Sequence, residues 1–187
     1  SSDLVDCGDD TSLDMGIHDF TISAWVKMGS TQLTYPTIVG KGGGATYDPG
    51  YSMSIKDDKI RFSIADGTTR TLIYSDVISV LDNEWHHIVA VVDRDGDLTF
   101  YLDGSGVGAV DISMHSGEDI TSPKSLTIGA LGTSSEYYFN GTIDEIGLFE
   151  QAISDSLIAV LANLTPETET DPETSSDALA LWYLNEG

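Results

Sequence analysis

The chain has 187 residues, 40% of them hydrophobic, enough for one ordinary domain with a full core and too apolar for a disordered chain. Eight Lys and Arg face thirty-one Asp and Glu, a formal net charge of −23. That balance argues against nucleic acid and anionic membrane as partners, because both need a cationic surface. It favours solubility in salt and attracts cations, calcium among them. Cys7 stands alone, so the chain forms no internal disulfide and no Cys-based zinc site. No apolar run approaches the roughly 18–20 residues of a membrane span, and none reads as a signal peptide. The opening Ser1-Ser2-Asp3 is expected to be the edge of a piece cut from a longer protein.

Short β-rich runs recur between turn clusters. Leu4 to Cys7 is a short strand, followed by a polar loop carrying Asp9, Asp10 and Asp14. Phe20 to Lys27 alternates, with Phe20, Ile22, Ala24 and Val26 on one face and Thr21, Ser23 and Trp25 on the other. Thr37 to Lys41 follows, then a Gly-rich loop from Gly42 to Gly50. Tyr51 to Ile55, Lys59 to Ala65 and Thr71 to Tyr74 are further strands, separated by Asp57-Asp58 and Asp66-Gly67-Thr68. Glu84-Trp85-His86-His87 opens an apolar strand that breaks at Asp93-Arg94-Asp95-Gly96-Asp97 and resumes at Leu98, a strong hairpin signal. Val107 to Ile112, Ser125 to Gly129 and Phe139 to Phe149 complete the strands. Ile153 to Ala162 reads as one short helix that Ser154 or Asp155 would cap. Thr165 to Asp177 is a polar loop or linker, and Ala178 to Leu184 a last apolar strand. Many short strands, almost no helix and no βαβ alternation predict an all-β, two-sheet antiparallel β-sandwich.

Five segments occur in order: Phe20-Thr21-Ile22-Ser23-Ala24-Trp25-Val26, Ile38-Val39-Gly40-Lys41, Glu84-Trp85-His86-His87-Ile88, Phe100-Tyr101-Leu102-Asp103-Gly104 and Asn140-Gly141-Thr142-Ile143-Asp144-Glu145-Ile146. Together they resemble the laminin-G-like, concanavalin A-like jelly-roll domains of secreted bacterial and archaeal proteins. The resemblance covers Leu4 to about Leu161. It implies residues 1–164 as one jelly-roll sandwich, 165–177 as an acidic Pro/Thr/Ser-rich loop or linker, and 178–187 as a terminal strand. In such domains text like Ala180-Leu181-Trp182-Tyr183-Leu184-Asn185-Glu186-Gly187 opens the fold, whereas here it closes the chain. It would complete this sandwich, exchange into a neighbouring chain, or start a following repeat.

The resemblance also implies a function: a non-catalytic, extracellular or cell-surface module for calcium-assisted carbohydrate binding or adhesion within a larger prokaryotic protein. Its partners would be a polysaccharide or surface glycan and the neighbouring domains. The alternatives are an architectural or protein-contact module and a divergent polysaccharide-degrading enzyme. A structural calcium is expected at Asp144, with Asp10 and Glu186 contributing. A sugar is held by aromatic faces and planar polar groups, so Tyr47, Asp48, Glu136, Tyr137 and Tyr138 are the candidate carbohydrate-binding residues. No catalytic residue is assigned. Related glucanases carry carboxylates as Glu-x-Asp-x-x-Glu on one strand, and no such run occurs here. The two-calcium pentraxin site is not supported either, because that stretch reads Ala130-Leu131-Gly132. His86 and His87, neighbours on a strand, face opposite sides and belong to the scaffold, with a metal ligand or general base as the other possibility. Asp93-x-Asp95-x-Asp97 resembles a calcium loop, but Leu98 and Gly104 stand where an EF-hand needs Gly and Glu, so a solvated turn is expected. Asn140-Gly141-Thr142 and Asn163-Leu164-Thr165 are formal glycosylation sequons with no expected role in a prokaryotic protein.

Overall fold

β-branched and aromatic residues alternating with small polar ones build eleven strands, and every pairing between them is antiparallel. The computed structural model describes residues 4–43, 48–131, 137–164 and 166. The strands are β1 (Val5–Asp6), β2 (Phe20–Met28), β3 (Thr37–Gly42), β4 (Gly50–Ile55), β5 (Ile60–Ala65) and β6 (Arg70–Tyr74), then β7 (Trp85–Val92), β8 (Asp97–Leu102), β9 (Ser105–Asp111), β10 (Leu126–Ile128) and β11 (Gly141–Phe149). The helix α1 (Asp155–Leu161) follows, and the Ser154 hydroxyl accepts from Leu157 N–H as its cap. Six strands form one sheet in the order β1-β10-β3-β4-β5-β6, and five form the other in the order β11-β2-β7-β8-β9. The expected two-sheet antiparallel sandwich with one short helix near its end is thus the observed fold. The terminal strand expected at 178–187 and most of the 165–177 linker lie outside the described residues.

The core fills the space between the sheets. Phe20, Ile22, Ala24, Val26 and Met28 of β2 point inward together with Tyr51, Met53, Ile55, Ile60, Phe62 and Ile64 of the facing sheet. Each faces the interior because strand residues two apart share a side. Fully burying one such side chain stabilises the fold by about 1.5–3 kcal/mol. A second, smaller apolar cluster lies on the outside of the five-stranded sheet. There Val89 and Val91 pack against Phe149, Ile153 and Ile158, with Tyr101, Leu157 and Leu161 at the margin. The helix α1 therefore covers that sheet's outer face. The Tyr101 hydroxyl donates to the Asp155 carboxylate at 2.6 Å and fastens the helix to β8.

Two expectations change on sight of the structure. Strand β11, read from the sequence as one run from Phe139 to Phe149, is interrupted: its register against β2 shifts between Asp144 and Gly147, and Glu145 adopts φ 48°. This bulge breaks the alternation that would have set Asp144 and Glu145 on opposite faces. The turn at Asp93 to Asp97 is not wholly solvated. Arg94 is 1% exposed, and its guanidinium donates to the carbonyls of His115 at 2.7 Å and Glu118 at 2.6 Å. Its backbone N–H donates to the Asp19 carboxylate at 2.8 Å. The basic residue inside an acidic run is thus a clamp between the hairpin and the loop after β9.

Candidate binding face

The outer side of the six-stranded sheet is built differently from that of its partner. Register aligns Gly40, Ser52, Ser63 and Leu72 across β3, β4, β5 and β6, and Ser54, Arg61 and Tyr74 in the next row. These positions alternate with the inward Met53, Phe62 and Ile73, so they share the outer face. The floor is made of small residues. A Cβ at Gly40 would stand 2.8 Å from Leu131 Cδ1 and from Ser52 Cβ, so only glycine lets the loop after β10 lie against the sheet here.

Loops bring aromatic rings onto this floor. Tyr35, between β2 and β3, stacks on Tyr137 with ring centroids 5.7 Å apart and an interplanar angle of 24°. The Arg61 guanidinium lies 5.1 Å and the Lys56 ammonium 5.3 Å from the centroid of the same Tyr35 ring. Arg70 enters from β6 and donates through Nε to the Ser63 hydroxyl at 2.9 Å, and Ser63 in turn donates to Gly43 O at 2.6 Å. Burial and the nearby Arg61 charge pull the Arg70 guanidinium below its ordinary pKa, against the opposing influence of Tyr137, Tyr74 and Tyr35. Three of the eight cationic side chains thus gather around a ring pair in a strongly acidic chain. Leu72 and Tyr74 form the exposed margin, 40% and 38% accessible.

Two buried polar atoms on this face have no partner among the described residues: Arg61 Nε and Ser52 Oγ, in residues 4% and 1% exposed. Arg61 reaches only the Ser54 hydroxyl, at 3.2 Å. Among the described residues neither Arg61 nor Arg70 has a carboxylate within ion-pair distance. Lys56 pairs with Asp57 at 3.2 Å.

Of the residues expected to hold carbohydrate, Tyr137 belongs to this ring pair and Tyr138 follows it, half-buried. Asp48 is half-buried in the Gly-rich loop, where its carbonyl accepts from Gly43 N–H at 3.2 Å. Tyr47 and Glu136 lie outside the described residues. Sequence reasoning missed Arg61, Arg70 and Ser52. A signal was present: Arg61 and Ser63 alternate with Ile60, Phe62 and Ile64, which sets a rare cation on an outward strand position. Trp25 is 5% exposed and packs at 5.3 Å from the His87 ring on the opposite sheet.

The calcium expectation meets little support in the described residues. No group of three or more His, Cys, Asp or Glu side chains converges there as a ligand set. Asp10 accepts from Ser12 N–H and its hydroxyl at 2.9 Å and 2.7 Å, capping a short 3-10 turn, while Asp144 accepts from Glu145 N–H at 2.8 Å. Glu186 lies outside the described residues. The carboxylate-rich loop is instead occupied by a side chain. Lys41, with no exposed surface, donates its ammonium to Asp9 and to the carbonyls of Ser122 at 2.9 Å and Lys124 at 2.8 Å, with Asp14 at 3.4 Å. Lys41 thus holds Asp9 and Asp14, beside Asp10 in sequence, and no step of recognition is derived through a metal.

The two histidines part as expected. His86 sits between Asp103 at 2.9 Å and Asp82 at 3.2 Å. Burial depresses its pKa, but the bonds to those carboxylates outweigh that and raise it. His87 is buried against Trp25, contacts the Ser23 hydroxyl at 2.8 Å, and is pushed by burial down to about 4. The sequon amides are engaged within the protein: Asn140 donates to Thr31 O at 2.8 Å and Asn163 to Ala159 O at 2.6 Å.

A jelly roll with one outer face closed by a helix and the other lined by rings and cations has the layout of a binding module. The chain belongs to the concanavalin A-like lectin/glucanases superfamily, matching its laminin-G-type family model over residues 1–159. Among solved structures it is similar to the CBM40 of the Ruminococcus gnavus IT-sialidase bound to α2,3-sialyllactose, with TM-score 0.67, 14% identity, and coverage of 87% of this chain and 97% of that one. It is also similar to the heptameric SAP-like pentraxin of Limulus polyphemus, with TM-score 0.63, 16% identity, and coverage of 86% and 75%. The botulinum neurotoxin serotype G binding domain gives 0.59, 21% identity and 80% of this chain, which spans 36% of that domain's length. At these identities the likeness is one of fold. No curated protein matches the chain.

Proposed function

We propose that this domain is a non-catalytic glycan-binding module and that its site is the outer face of the six-stranded sheet around Tyr35, Arg61, Arg70 and Tyr137. We propose with it an extracellular or cell-surface setting, where polysaccharides are met. The observation that carries the reading is the stacked Tyr35–Tyr137 pair set beside two guanidiniums without carboxylate partners among the described residues. Aromatic faces take the C–H faces of a sugar, and guanidinium donors take its oxygens. The fold likeness to a sialidase CBM40 and to toxin binding domains supports a recognition role.

The test is a glycan array followed by calorimetry on the wild type and on Tyr137→Ala, each with and without a chelator. Binding of at least one oligosaccharide, weakened tenfold or more by Tyr137→Ala and unchanged by the chelator, is the expected result. Silence across neutral and acidic glycans alike, with and without calcium, would remove the proposal. A chelator-dependent signal would return a calcium site to the account.

A further inference from the structure

The face carries information on which sugars it would prefer. Every cation the chain buries elsewhere is supplied with oxygens: Lys41 by a carboxylate and two carbonyls, Arg94 by carbonyls of Gly16, His115 and Glu118. Arg61 is the exception. It is 4% exposed and, among the described residues, has one neutral hydroxyl acceptor and no carbonyl or carboxylate, whereas Arg94, whose Nε is likewise without a partner, is held by three carbonyls. The charged neighbour of Arg70 is Arg61 itself, so two like charges are held close together. Buried charge is ordinarily paired, because unpaired burial is costly. A pair of guanidiniums left unpaired beside a stacked ring pair is a site prepared for an anion borne on a ring.

We propose, resting on the glycan reading, that Arg61 and Arg70 select sugars carrying a compact anionic group, a carboxylate or a sulfate ester, with Ser52 Oγ as a further hydrogen-bonding group on the floor. The planar guanidinium fork matches two oxygens of either group. The ring pair takes the pyranose, and the guanidiniums take its charged substituent. The −23 net charge opposes a long polyanion, because repulsion accumulates over its length while the cations on this face are few. The ligand is therefore a short acidic unit or chain end, and affinity does not grow with polymer length.

Calorimetry with oligogalacturonate, its carboxyl-reduced counterpart and a sulfated galactan oligosaccharide tests this on the wild type, Arg70→Gln and Tyr137→Ala. The expected result is at least tenfold tighter binding of an acidic oligomer than of the reduced one. Arg70→Gln should erase that preference, weakening the acidic oligomer at least tenfold more than the reduced one, and Tyr137→Ala should weaken both. The carboxylate and sulfate arms distinguish the two sources of charge, and preference for either one over the neutral sugar supports the assignment. Equal affinity for acidic and reduced oligomers, or a preference that survives Arg70→Gln, overturns it while glycan binding stands. Absence of binding in all arms and on the array removes both readings.

Discussion

The two sheets share one core but turn unlike outer faces. Outside the five-stranded sheet, Val89, Val91 and Tyr101 form an apolar strip that the helix α1 closes with Phe149, Ile153 and Ile158. Outside the six-stranded sheet, the same strand alternation delivers Ser52, Ser54, Arg61, Ser63 and Arg70, and among the described residues it is the loops carrying Tyr35 and Tyr137 that bring rings to it. The difference is one of energetics. An apolar strip gains stability by burying itself, at about 25 cal/mol per Å². A row of serines and guanidiniums gains little from a permanent cover and loses hydration. One outer face thus adds to the stability of the shared core, and the other is left free for the proposed recognition.

The contrast can be broken first at Phe149. Phe149→Ala empties the helix-covered cluster and should cost about 3 kcal/mol, read by denaturant unfolding, with no change in affinity for the array's best glycan. A cost that also abolishes binding would mean the two faces are coupled. The next largest effect belongs to acid. His87 lies on the helix-covered side of its sheet and titrates at about 4 in the folded chain, against 6.5 for the free side chain. The unfolded chain therefore takes up the proton first. Stability is lost progressively as pH falls from about 6.5 to about 4, by up to about 3 kcal/mol, and loses no more below that. His87→Gln should flatten this limb of the pH profile. His86 acts in the opposite sense. Its raised pKa gives a contribution present below 6.5 that disappears as pH rises through the folded value.

Arg61→Met sharpens the comparison from the other side. Removing a buried, unpaired charge should leave stability unchanged or raise it by about 1 kcal/mol, while affinity for the glycan falls tenfold or more. A loss of several kcal/mol would make Arg61 a structural residue. The smallest effect is expected from Tyr101→Phe, which removes the bond to Asp155 between β8 and the helix. A loss of about 0.5–1 kcal/mol in thermal unfolding, without any effect on binding, is the outcome.

How far each face could be read from sequence follows from the same contrast. Strands such as Phe20 to Met28 and Ile60 to Ala65 announce themselves, because alternation and bounding turns are local properties. The pair of histidines also resolved locally, since strand neighbours face opposite sides. The binding face did not. Tyr35 and Tyr137 are about a hundred residues apart and meet only because β10 pairs with β3 and carries its following loop across Gly40. Arg94, set among aspartates, reads as solvent-exposed, and its burial depends on the loop around His115, which no local pattern foretells. Asp144 drew attention by resemblance, and the bulge after it and its bond to Glu145 N–H were not legible in the sequence.

Lys41 deserves a last consequence. Its ammonium joins Asp9 and the carbonyls of Ser122 and Lys124 into one knot, beside a loop that also carries Asp10 and Asp14. A dissolved ion in that place would come and go with the surrounding medium. A cation on a four-carbon tether cannot be washed out, chelated or exchanged. That corner of the molecule should hold its shape equally in brine and in fresh water.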